Sequence, residues 1–192
     1  MNEGMDTTAV TYVATYEVTS PTKASIEKIY RIAQKEARSS GANTLRLKSI
    51  SEDYSSALFE AYLLDDDAVQ KNRTLAEKNV FYIFGGEKFD SPAYYSFELN
   101  GAGKSIKNGT YFKYTLKEGE QAKLRKGTVS GTVMWVKWRQ NQMPSYFSIH
   151  GYVDEPVVKR TTQSQSFRPG KFPHVESSLG AFLSKVLVEK VD

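Results

Sequence analysis

Val80-Phe81-Tyr82-Ile83-Phe84-Gly85-Gly86 marks the point where the character of the chain changes. Five consecutive apolar residues, too few for a helix and stopped by paired glycines, read as a strand covered on both faces. Similar units follow. Ala93 to Leu99 is a second strand, and Asn100-Gly101 a turn signal. Tyr111 to Leu116 is a third strand, opened by Asn108-Gly109, and Glu118-Gly119 turns the chain into a strand from Gln121 to Lys126. Thr128 to Arg139 and Ser145 to Val153 read as a hairpin around Gln140-Asn141-Gln142-Met143-Pro144. Short strands separated by closely spaced turns predict an antiparallel sandwich or barrel.

Upstream the periodicity differs. Residues 8–19 are rich in Val, Thr and Tyr and predict a strand. Ser20-Pro21 supplies an N-cap candidate and a proline at the first helical position, where its missing N–H costs nothing. Ile26, Ile29, Tyr30, Ala33 and Ala37 recur at helical spacing, and Gly41 can take the left-handed conformation that ends a helix. The prediction is a helix over 21–40. Leu45 and Leu47 alternate with Arg46 and Lys48 in a half-buried strand, and Ala57 to Leu64 is another. Asp65-Asp66-Asp67 closes this βαββ unit, and a short helical or irregular link runs over about 67–77. In the tail, a polar stretch over Thr161 to Ser166 and Arg168-Pro169-Gly170 precede Val175, Leu179, Phe182, Leu183, Val186 and Leu187. That spacing predicts an amphipathic helix over 175–188, weakened by Gly180, with a strand over 182–191 as the alternative.

Composition excludes several chemistries. The 192 residues contain no cysteine and only two histidines, His150 and His174. Disulfides, thiolate nucleophiles and Cys- or His-rich metal sites are therefore not available. No apolar run approaches the roughly 18 residues of a membrane span. The net charge of +4 is uneven: residues 101–140 hold 9 basic and 2 acidic side chains, whereas residues 1–100 hold 11 and 15.

Each chemical motif has a plainer alternative. Gly101-Ala102-Gly103-Lys104-Ser105 resembles the end of a phosphate-binding loop, but Glu98 stands where its first glycine belongs and Ile106 to Tyr114 reads as strand. A hairpin turn is the better reading. Asp65-Asp66-Asp67 fails the spacing of a calcium loop and reads as a solvated turn. His150 lies in a predicted strand with no nucleophile elbow in the chain, so a hydrolase around it is only an alternative; His174, after Pro173, reads as a loop residue. Alternation on one strand puts Met134, Val136 and Trp138 on an apolar face and Val133, Trp135, Lys137 and Arg139 on the other. With Lys113, Lys123 and Arg125, the last three form a candidate binding face for polyanions; the alternative is a solvated face whose charges deter edge pairing.

Two stretches resemble known domains. Residues 22–50, with Ala37-Arg38-Ser39-Ser40-Gly41-Ala42-Asn43 running into a strand, look like the helix-to-strand turn of small bacterial envelope proteins with a βαβ core. Val80 to Phe84, Phe97-Glu98-Leu99-Asn100-Gly101, Lys107 to Phe112 and Leu116-Lys117-Glu118-Gly119-Glu120 resemble the small PEGA-like β-sandwich domains of bacterial lipoproteins, with Lys117-Glu118-Gly119 where Pro-Gly is usual. The resemblance implies a non-catalytic envelope domain and brings no active-site residues.

The expected fold is α+β: a βαββ subdomain at 7–66, an antiparallel β-sandwich at 78–155 and a tail at 156–192. The expected function is a non-enzymatic accessory or interaction domain, the soluble part of an exported or lipid-anchored bacterial protein in the periplasm or cell envelope. No cofactor or metal is expected. The expected partner is a protein or another envelope component, with an anionic glycan as the alternative and nucleic acid disfavoured.

Overall fold

The computed structural model describes residues 1–2, 4–8, 10–20, 25–86, 94–126, 133–149 and 172–190. The chain is α+β, with three helices, eleven strands and mainly antiparallel sheets among these residues. It divides into two compact units, Met1–Glu77 and Lys78–Asp192.

The first unit contains β1 (Thr11–Thr19), α1 (Ile26–Ser39), β2 (Thr44–Ile50), β3 (Ser56–Leu63) and α2 (Asp66–Thr74). β3 lies between β1 and β2, antiparallel to both. Ala57, Phe59 and Ala61 alternate onto the face that α1 covers, where Phe59 meets Tyr30 edge to face at 6.4 Å. The apolar stripe of α1 is buried as its spacing requires.

Two boundaries differ from expectation. α1 begins at Ile26 and not at residue 21, because the Ser25 hydroxyl accepts from the Lys28 N–H at 3.1 Å, while the Ser20 N–H donates to the Ser55 carbonyl. Pro21 lies outside the described residues. At the other end Gly41 has φ 85°, and the Ala42 and Gly41 amides donate back to the Ala37 and Arg38 carbonyls in a Schellman closure. The acidic run is a helix start and not a free turn: the Asp65 carboxylate accepts from the Ala68 N–H at 2.8 Å, and Asp66 and Asp67 sit in the favourable first turn of α2.

The second unit contains β4 (Val80–Phe84), β5 (Tyr94–Leu99), β6 (Ala102–Lys107), β7 (Thr110–Thr115), β8 (Gln121–Lys126), β9 (Val133–Lys137), β10 (Ser145–Ser148), α3 (Ser177–Val186) and β11 (Val188–Glu189). They form two four-stranded sheets, ordered β10-β4-β7-β11 and β6-β5-β8-β9. Phe81, Ile83 and Phe112 from the first sheet and Phe97, Ile106 and Leu124 from the second share one core. Phe97 and Phe112 meet edge to face across it at 5.5 Å. β4 is buried at all five positions because its other face, Tyr82 and Phe84, lies with Tyr111 and Tyr146 in an aromatic layer under α3.

The glycine signals act differently at different turns. Asn100 (φ 53°) and Gly101 (φ 84°) form the two-residue hairpin between β5 and β6, which disposes of the phosphate-loop reading. The stretch 106–114 is not one strand: it breaks at Asn108-Gly109, where the chain leaves one sheet and enters the other. The tail resolves its alternatives in sequence. α3 covers 177–186, and then Val188 donates to the Gly109 carbonyl and Lys190 to that of Tyr111, drawing the last residues into a strand beside β7.

The hairpin expected between 128–139 and 145–153 does not form. β9 pairs with β8, whereas β10 runs parallel to β4 in the other sheet. Residues 128–132 and 150–153 of that expectation, like 161–170 of the tail, lie outside the described residues. Asn79 supplies the physical reason. It is buried at φ 56°, its N–H donates to the Gln142 carbonyl at 2.9 Å, and its side-chain Oδ1 accepts from the Arg139 N–H at 3.0 Å. Both ends of the connection are thereby tied to the start of β4. Asn79→Ala is expected to destabilise this unit by about 2 kcal/mol, from left-handed strain and an orphaned amide. Asn79→Asp, which keeps the acceptor, should cost much less. Urea unfolding followed by tryptophan fluorescence checks this, since both tryptophans, Trp135 and Trp138, belong to this unit. Equal losses in the two variants would remove the acceptor from the account.

Candidate functional site

Strand alternation builds the candidate site on the outer face of the β6-β5-β8-β9 sheet. On β8, Ala122 and Leu124 are fully buried, so Gln121, Lys123 and Arg125 face outward. On β9, Val136 is buried and Met134 packs against the core, so Val133, Trp135 and Lys137 share that outward face. The register sets Lys123 opposite Trp135, Gln121 opposite Lys137 and Arg125 opposite Val133.

Trp135 is 52% exposed, and the Lys123 Nζ lies 5.6 Å from its ring centroid, within reach of a cation–π attraction. Arg125 is spoken for. Its guanidinium donates to both Glu98 carboxylate oxygens, at 2.5 and 3.0 Å, from the adjacent β5. This hydrogen bonding is the first cause of the Glu98 carboxyl lying below its ordinary range. The positive charge left over on the outward face of β8 and β9 is that of Lys123 and Lys137, neither of which forms an ion pair with a described residue. Tyr94, 69% exposed, and Ser96 extend the same face along β5.

The other expected residues are elsewhere. Lys113 is on β7 in the other sheet, paired in register with Tyr82; it alternates with the core residue Phe112 and so points away from the Trp135 face. Arg139 lies beyond β9 with an exposed side chain and a backbone N–H committed to Asn79. Trp138 packs against the core. The candidate face therefore keeps Trp135, Lys137 and Lys123, has Arg125 neutralised, and does not include Lys113. Sequence reasoning missed the pairing of Glu98 with Arg125 and the Asn100 side chain that accepts from the Lys123 N–H at 2.8 Å, because cross-strand partners carry no local signal.

His150 lies outside the described residues. His174 is exposed, forms an isolated bridge with Phe147 and meets its ring edge to face at 5.9 Å. Among the described residues no three His, Asp or Glu side chains gather to hold a metal ion, and no helix is long and apolar enough to cross a membrane.

Two tyrosine–carboxylate pairs have structural roles. Tyr62 donates to Glu60 at 2.7 Å on the β3 face that Lys48 also reaches. Tyr114 donates to Glu120 at 2.6 Å, while the other Glu120 oxygen accepts from the Lys117 N–H and pins the β7–β8 turn. The bond to Glu120, then burial, raises the Tyr114 phenol from 10.0 to about 12. A raised folded value means that this contribution to stability is intact below pH 10 and is lost as pH climbs through about 12. Tyr114→Phe is therefore expected to flatten the alkaline limb of the stability profile over that window. An unchanged limb would place the alkaline loss elsewhere.

No protein-family model, curated protein or solved structure matches the chain.

Proposed function

We propose that the chain is a non-enzymatic interaction domain, the soluble part of an exported or lipid-anchored bacterial envelope protein. The observation that carries this reading is the half-exposed Trp135 beside Lys123, on a face whose neighbours Val133 and Tyr94 are also exposed. Isolated apolar residues are ordinary on a surface, but a tryptophan grouped with other exposed apolar residues and with cations that pair with no described carboxylate has the composition of a recognition patch. The envelope location rests on the likeness of residues 79–126 to lipoprotein sandwich domains.

A photo-crosslinking residue at position 133 of the full chain, in its native cells, should give a discrete adduct with an envelope component. Trp135→Ala should abolish that adduct while changing stability by no more than about 0.5 kcal/mol, as at an ordinary surface position. Failure to form any adduct would overturn the interaction reading. Recovery of the protein wholly from the cytosolic fraction would overturn the envelope assignment.

The Lys123–Trp135 stack with Lys137 nearby favours a second reading, an anionic glycan whose sugar ring covers the indole. It expects elution from heparin at higher salt than net charge +4 alone explains, moved to lower salt by Lys123→Ala and Lys137→Ala together. Elution no later than charge-matched proteins would sink it.

A further inference from the structure

The residues that carry the exposed face also carry a hydrogen-bonding edge that no described strand uses. β9 is the terminal strand of its sheet, and among the described residues it pairs only with β8. The phase of that ladder follows from two bonds. The Trp138 N–H donates to the Glu120 carbonyl, so alternation commits the Val136 and Met134 backbones to β8. On the far side of β8, both backbone groups of Lys123 are spent on Asn100: its carbonyl accepts from the Asn100 N–H at 2.9 Å and its N–H donates to Asn100 Oδ1 at 2.8 Å. The Lys123–Trp135 pair is therefore a non-bonded pair. The backbone groups of Val133, Trp135 and Lys137 point away from the sheet, while their side chains stand on its outer face.

The usual reason for a lysine on an edge strand is to prevent pairing. The composition of this edge argues otherwise, because a protective edge has no use for a tryptophan 52% exposed and a valine 38% exposed at alternate positions. The opposite edge strand, β6, offers a contrast, since there the Lys190 ammonium donates to the Ser105 carbonyl at 2.6 Å.

We propose that β9 receives an extended acidic peptide of a partner protein as an added antiparallel strand. Main-chain bonds to Val133, Trp135 and Lys137 would supply affinity. An apolar residue against Trp135 and a carboxylate against Lys137, with Lys123 behind, would supply selection. This rests on the interaction reading above and names the partner's chemistry.

The test uses the full chain, observed by amide NMR and hydrogen exchange, and a short synthetic peptide alternating valine and glutamate. The expected result is that the Trp135 and Lys137 amides shift and exchange about tenfold more slowly on binding. A peptide alternating valine and lysine should not bind. The acidic peptide N-methylated at alternate amides, in both registers, should fail as well, since strand addition needs those donors. Lys137→Glu should weaken the acidic peptide by about tenfold and admit the basic one. The proposal is overturned if the two amides remain unprotected, or if the N-methylated peptides bind equally well, which would indicate charge alone. Binding of a heparin fragment without binding of the peptide would also overturn it, in favour of the glycan. In each of these cases the crosslink at position 133 still decides the interaction reading separately.

Discussion

Phe84→Ala is expected to cost the second unit about 4 kcal/mol, as complete removal of a fully buried phenylalanine does when its surroundings cannot collapse. Phe84 is 0% exposed and lies in the aromatic layer beneath α3, with Tyr111, Tyr146 and Tyr82 at centroid distances of 6.2, 6.2 and 6.4 Å. Each neighbour is fixed by its own strand, so no flexible side chain is available to fill the space. Beyond the lost transfer energy, the three ring contacts disappear together. Phe84→Leu, which keeps most of the volume, should cost about 1.5 kcal/mol. Urea unfolding followed by tryptophan fluorescence isolates this unit from the first, which has no tryptophan. A loss below about 2 kcal/mol for Phe84→Ala would mean that the site collapses easily, and the aromatic layer would then not be a rigid platform for α3.

Gly180→Ala is expected to destabilise, against the rule for helices. In an exposed helix interior this substitution gains about 1 kcal/mol, because glycine has more backbone entropy to lose. Gly180 is buried in α3 directly over the Tyr146 side chain, and a Cβ there would lie 2.2 Å from the Tyr146 Cγ. Relieving that overlap means lifting the helix or turning the tyrosine out of its stack with Tyr82 and Phe84. With overpacking costing up to about 3 kcal/mol, the net expectation is a loss of about 2 kcal/mol. Combining Gly180→Ala with Tyr146→Leu should cost less than the sum of the two changes, because the second removes the atoms the methyl strikes. Strict additivity would show that the helix does not rest on Tyr146.

The same glycine shows how differently sequence and structure report. From periodicity alone Gly180 is a flaw in an otherwise good helix. The flaw is a close-approach site whose partner is 34 residues away, and no local pattern points to Tyr146. The α1 stripe was legible because a helix face is a local property, and the Asn100-Gly101 hairpin because its left-handed backbone demands those residues. The supposed hairpin after β9 misled for the opposite reason. Alternation makes both β9 and β10 strands but says nothing about which sheet receives them, and Asn79, some 60 positions before Arg139, directs the crossing. The candidate site divides in the same way. That Trp135, Lys137 and Lys123 face outward was readable from strand period. That Arg125 is neutralised by Glu98, and that Lys113 stands on a different sheet, was not.

The sequence by itself determined most of the elements, the α+β class and which side chains of β8 and β9 face outward, since these follow from backbone conformation and side-chain period within a few residues. Only the tertiary structure decided which strands are neighbours, which cations are neutralised and which edge no described strand pairs with. Those depend on contacts between distant segments, and such contacts are settled by the joint packing of the core and the pairing of buried polar groups.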